Sequence, residues 1–116
     1  MVPICFAFDG HAIVTVIDEK PKSGADPHRL GRVRDIVARP EVAVLVDRWD
    51  EDWDRLAWVR IDGIARVIEA DDGGHDTAVS ALRDRYPQYA SMDLERAPVI
   101  AVRPTRVVAW GDLRVP

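Results

Sequence analysis

The stretch from Arg55 to Glu69 constrains the fold more than any other. Val59, Ile61, Ala65 and Val67 alternate there with Trp58, Arg60, Ile64 and Arg66. A period of two sends successive side chains to opposite faces of a sheet, so this run reads as one long strand. Asp62-Gly63 breaks it as either a hairpin turn or a glycine bulge. The same hydrophobic face resumes after Gly63, which favours the bulge.

Other apolar runs supply the partners. Val2–Phe8 is apolar on both faces, as a strand covered on both sides would be. Asp9-Gly10 separates it from the β-branched run Ala12–Ile17, a hairpin signal. Glu41 to Asp47, around Val42–Val46, reads as a central strand, and Pro98–Trp110 as a last strand interrupted at Pro104, at a sheet edge or a bulge. Two helices punctuate these runs. The first spans about Pro27 to Ala38, with Asp26 as N-cap, proline at the first helical position and Leu30, Val33, Ile36 and Val37 on one stripe. Its end is set by Pro40. The second, His75–Tyr86, turns Ala78, Val79, Leu82 and Tyr86 inward and stops before Pro87. The order strand, strand, helix, strand, long strand, helix, strand predicts a mainly β, antiparallel sheet curled into a barrel with helices outside. Curling also protects valine-rich edges that an open sheet would leave unpaired.

At 116 residues the chain reads as one domain, residues 1–116, with a hydrophobic fraction of 47%. Its net charge of −4 argues against general nucleic-acid or membrane-surface binding. One cysteine, Cys5, allows no internal disulfide, and its apolar surroundings read as those of a buried thiol in a reducing compartment. The opening residues lack the basic lead of a secretion signal and no run reaches membrane-spanning length, so a cytoplasmic location is expected.

Against this acidic background, positive charge is concentrated between residues 18 and 40. Lys20 and Lys22, the only lysines, flank Pro21, and Arg29, Arg32, Arg34 and Arg39 follow at helical spacings. A helix start offers free N–H groups and the positive end of its dipole, so it can receive a phosphate. Each charge-assisted contact from these cations contributes roughly 1.5–3 kcal/mol. A solvated basic surface helix is the plainer alternative, as is arginine-rich genome composition.

Catalytic side-chain signatures are missing. His11, His28 and His75 are far apart and read as surface or capping residues. Asp50, Glu51, Asp52 and Asp54 lack the glycine and closing glutamate of a calcium loop and read as a solvated acidic turn, beside Trp49 and Trp53, whose rings need cover. No phosphate-binding glycine loop, nucleophile elbow or Cys-His pair appears. Any redox or group-transfer chemistry would have to come from a bound cofactor.

Several segments carry a family resemblance. They are Val2-Pro3-Ile4-Cys5-Phe6-Ala7-Phe8-Asp9-Gly10, Asp18-Glu19-Lys20-Pro21-Lys22-Ser23, Val44-Leu45-Val46-Asp47, Glu51-Asp52-Trp53, Trp58-Val59-Arg60-Ile61-Asp62-Gly63 and Tyr86-Pro87-Gln88-Tyr89. Together they resemble the split β-barrel proteins related to pyridoxamine phosphate oxidase, in the actinobacterial branch of coenzyme F420-dependent enzymes (PPOX class). The resemblance implies an FMN-binding-like split barrel, a homodimer with its deazaflavin in a groove between subunits. It implies Lys20, Lys22 and Ser23 as the phosphate-binding segment, extended by Arg29 and Arg32. Pro3 and Ile4 would lie along the ring by their backbone, with Trp53 near it, from the same or the second subunit. Relatives carry an N-terminal helix and a further strand ahead of the position of Val2, and end the first helix in Asn or Asp where this chain has Arg39. The implied function is hydride transfer between reduced F420 and a small-molecule substrate. FMN in the same fold, or a flavin or deazaflavin carrier without turnover, are the alternatives.

Overall fold

The computed structural model describes residues 3–17 and 31–114, the side chain of Arg32 excepted. The elements are β1 (Ala7–Phe8), β2 (Ile13–Val16), α1 (Gly31–Ala38), β3 (Glu41–Arg48), β4 (Ala57–Ile68), α2 (His75–Arg85) and β5 (Val99–Gly111). Short 3-10 turns cover Trp53–Arg55 and Pro87–Ser91. This is the order expected from the sequence. The strands form one antiparallel sheet, β1-β2-β5-β4-β3, curled into the half-barrel of a mainly β split-barrel fold.

The backbone of that sheet is the β4–β5 pair. Its register runs from Ala57 opposite Gly111 to Ile68 opposite Val99, and it shifts once, between Asp62 and Gly63. Gly63 faces Pro104, while Asp62 faces Arg106, so Thr105 is the extra residue. The bulge inferred from Gly63 and the interruption at Pro104 are therefore one irregularity seen from two strands. It reverses the facing of β5: Ile100 and Val102 share a face with Ala65 and Val67, and beyond the bulge Val107 shares that same face with Ile61. Without the extra residue, one of these two groups would point the other way. β2 pairs only with Val99 to Val102, so Pro104, which has no N–H to donate, sits where β5 has no ladder on that side among the described residues.

Each face of the sheet carries its own core. Val14, Val16, Ile68, Val99 and Ala101 pack with Ala78, Val79 and Leu82 of α2, and with Tyr89 and Leu94 beyond it. On the other face Ile13, Val44, Ala65, Ile100 and Val102 pack with Val33 of α1. Of the predicted α1 stripe, Val33 is buried and Ile36 packs against this core, but Val37 is 75% exposed. The α2 stripe is as expected: Ala78, Val79 and Leu82 are buried and Tyr86 packs against the core.

Four expectations are corrected. β3, read from the sequence as a central strand, pairs only with β4 and lies at the edge of the sheet among the described residues. Only Ala7 and Phe8 of the predicted first strand pair with β2, through a hairpin whose turn is held by Asp9, which accepts from the N–H groups of His11 and Ala12. Pro3, Ile4 and Cys5 are exposed, because the main chain at Phe6 leaves the ladder for partners on α2. Cys5 is consequently an exposed thiol, not a buried one. His75 is 1% exposed, and its Nε2 lies 2.6 Å from the Ala97 carbonyl, to which it donates. A buried polar ring needs such a partner, and the loop before β5 supplies it.

The far end of the sheet is closed by Arg48. Its guanidinium donates to the carbonyls of Arg55 and Arg114, at 3.1 and 3.0 Å, and to that of Asp112. These bonds tie the β3–β4 loop to the end of β5. The side chain and N–H of Arg114 hydrogen-bond the Asp112 carboxylate, which holds it well below the usual carboxylate range, with Arg48 adding to the effect. The stabilisation this lends is therefore fully present above the ordinary carboxylate pKa and is lost progressively as pH falls from that value through the depressed one.

Candidate functional site

Five of the expected site residues fall in or against the segment joining β2 to α1. Lys20, Lys22, Ser23 and Arg29 lie outside the described residues, as do Asp26 and the predicted start of the helix. Arg32 is the second residue of α1, and its side chain lies outside the described set.

Pro3, Ile4 and Trp53 can be placed. Pro3 is exposed and Ile4 is 36% exposed, both on the extended segment that leads into β1. Trp53 opens the 3-10 turn between β3 and β4 and is 74% exposed, as is Trp49. The turn is built from its own acids: Asp50 accepts from the N–H of Asp52, and Asp52 from that of Asp54. Those carboxylates are occupied as local turn caps, and no group of metal-ligating side chains occurs among the described residues.

The strand register separates these positions. Trp53 adjoins the Ala57 end of β4, whereas β1 and β2 lie across β5 from the Ala65–Ile68 end. A strand of 12 residues spans roughly 35 Å at about 3.3 Å per residue. Within one chain, Trp53 and the Pro3–Ile4 segment are thus at opposite ends of the sheet. One copy does not bring them together.

Beside α1 the surface opens into a groove of about 390 Å³, with Val33, Val37, Ala38 and Val67 as apolar walls and Arg34 and Glu69 at its margin. Exposed Val37, at the outward end of the predicted stripe, lines this groove. A second groove, about 400 Å³, follows the β3–β4 pair at the bulge, past Arg60, Asp62, Gly63 and Thr105.

The residues that anchor the Pro3–Phe6 segment were not singled out as site residues from the sequence. Tyr86 Oη accepts from the Phe6 N–H at 3.1 Å, and Arg85 Nη1 donates to the Phe6 carbonyl at 2.8 Å. The Arg85 guanidinium also lies 4.4 Å from the centroid of the Phe6 ring. These partners are 80 and 79 residues apart in sequence, so no local pattern could pair them. The one available signal was Tyr86 before Pro87, an aromatic at a helix end.

No protein-family model and no curated protein matches the chain. Solved structures do. A conserved hypothetical protein from Mycobacterium tuberculosis superposes with a TM-score of 0.66 at 18% identity, over 91% of this chain and 64% of that one. A heme binding protein from Mycobacterium smegmatis superposes with a TM-score of 0.67 at 17% identity, over 95% of this chain and 42% of that one. An F420 reductase gives a TM-score of 0.55 at 22% identity, over 89% and 73%. The chain thus spans under two thirds of the length of the first two. At these identities the likeness is one of fold. No helix among the described residues is long and apolar enough to cross a membrane.

Proposed function

We propose that this chain is a cofactor-binding oxidoreductase that uses coenzyme F420 to pass a hydride to or from a small-molecule substrate. The observation that carries the reading is the gathering of both lysines and Arg29 in the connection between β2 and α1, with Arg32 in the first turn of α1, in an otherwise acidic chain. The fold supports it, since an F420 reductase shares the split barrel.

In this reading Lys20, Lys22, Ser23, Arg29 and Arg32 grip the phosphate and acidic tail of the cofactor. Pro3 and Ile4 lie along its ring, and the cofactor supplies the redox chemistry. The chain's own part is to bind, orient and exclude water. Because Trp53 sits at the opposite end of the sheet, a pocket that includes it takes the tryptophan from a second copy, which favours a homodimer. FMN is the alternative ligand. Its single terminal phosphate needs fewer cations than a phosphodiester with an acidic tail, so the spread of basic residues favours F420. One protein of this fold binds heme; of the two described histidines, His75 is buried and bonded to the Ala97 carbonyl, and His11 lies exposed on the hairpin turn.

Lys22→Ala is expected to weaken F420 binding at least tenfold in a fluorescence titration. Thermal stability should change by no more than about 1 kcal/mol. Unchanged affinity would remove the lysine from the site.

A further inference from the structure

The segment 3–6 is held in an unusual way for the approach to a strand. Ala7 and Phe8 pair with β2, but the two main-chain groups of Phe6 are taken up by side chains of the α2 terminus. Tyr86 meets the N–H and Arg85 the carbonyl, so the peptide planes on both sides of Phe6 are fixed from one direction. The Phe6 ring packs against the core on the α1 side of the sheet, and the Arg85 guanidinium stacks on it. The segment is thereby clamped between that core and α2.

The clamp itself is rigidly mounted. The Tyr86 N–H donates to the Leu82 carbonyl at 2.9 Å, and the Tyr86 carbonyl accepts from the Tyr89 N–H at 3.0 Å. The Tyr86 ring meets the Tyr89 ring edge-on, with centroids 5.7 Å apart, and Tyr89 is 4% exposed. A second contact of Arg85, 5.3 Å to the Tyr86 ring centroid, joins the two clamp residues to each other. Upstream of this anchor, the main-chain groups of Ile4 and Cys5 form no hydrogen bond among the described residues. They stand exposed on a backbone whose direction Phe6 sets.

We propose that Tyr86 and Arg85 are positioning residues for the cofactor ring, acting through Phe6 to fix the backbone of Pro3–Cys5. The proposal rests on the reading that Pro3 and Ile4 face the ring. Neither side chain need touch the cofactor. A ring stacked along a strand is sensitive to displacements of about 1 Å, and a strap left to itself would be ordered only on binding, at an entropic cost to affinity. Holding it beforehand removes that cost.

The test uses Tyr86→Phe, which deletes the acceptor and keeps the packed ring, and Arg85→Met, which keeps length and removes the charge. Three quantities are read on the full chain: exchange of the Phe6 amide without cofactor, the dissociation constants of F420 and FMN, and the absorption spectrum of the bound ring. Tyr86→Phe should accelerate exchange at Phe6 at least tenfold and weaken the preferred cofactor at least fivefold. It should also shift the bound spectrum, whereas Lys22→Ala lowers affinity and leaves that spectrum in place. Arg85→Met should weaken affinity in the same direction.

Unchanged exchange at Phe6 would mean that the clamp does not hold the segment. Faster exchange with wild-type affinity and spectrum would make the clamp purely structural. Either result overturns the positioning role. If the wild-type chain binds neither cofactor while Phe6 exchange still responds to Tyr86→Phe, the functional reading itself has failed, and the positioning role falls with it.

Discussion

Gly63→Val is expected to destabilise the protein by about 3 kcal/mol, enough to lower its thermal midpoint by roughly 10–15 °C. The reason lies in the bulge. A Cβ at this position would stand 2.6 Å from the Arg103 carbonyl oxygen and 2.6 Å from Val102 Cγ1. Neither neighbour can withdraw freely, since Arg103 pairs with Ile64 in the ladder and Val102 belongs to the core on the α1 side. The added side chain must therefore push β5 away from β4 at the point where the register shifts. Gly73→Ala makes the matched control, because a Cβ there meets nothing within 4 Å. It should change stability by no more than about 0.5 kcal/mol. Chemical denaturation of the two variants separates the cases. Equal midpoints would mean that the close approach at the bulge relaxes without loss.

Leu82→Ala should be the other severe change, at about 3–4 kcal/mol. Leu82 is 0% exposed and sits in the middle of the cluster formed by α2, β2 and β5. Removing its branched end leaves a cavity walled by β-sheet residues and by Leu94 and Tyr89, and a sheet cannot collapse into that space as a loop would. Alanine favours helix, so the loss is one of packing and not of propensity. Because Leu82 also receives the Tyr86 N–H, loosening α2 should increase exchange at Phe6 as well. A loss below about 1 kcal/mol in a denaturation experiment would show that α2 is not the cover this core requires.

The architecture was legible because it is written in local periodicity. Alternation in 55–69 announced β4, and the glycine at 63 announced its bulge. The apolar stripe Ala78, Val79, Leu82 announced α2 and the face it buries. What the sequence could not show was that Gly63 and Pro104 are one feature, since register between β4 and β5 is a relation between distant residues. Burial at the margins was equally hidden. Cys5, in an apolar run, is exposed, and Val37, on an apolar helix stripe, borders an open groove, while the isolated His75 is buried against Ala97. Each is decided by which element lies alongside, not by the residue or its neighbours in the chain. The candidate site follows the same division. Its cations were visible as a local cluster in composition, but the clamp from Tyr86 and Arg85 onto Phe6 arises from tertiary packing alone.

On the proposed reading a phosphorylated redox cofactor occupies this barrel, gripped through the basic connection between β2 and α1. Separate equilibrium titrations of F420 and FMN into the purified chain, followed by cofactor fluorescence, test it most directly. F420 should bind saturably with a dissociation constant of roughly 10 µM or tighter, and FMN at least tenfold more weakly. Failure of both cofactors to saturate the protein at roughly a hundred times that concentration would contradict it.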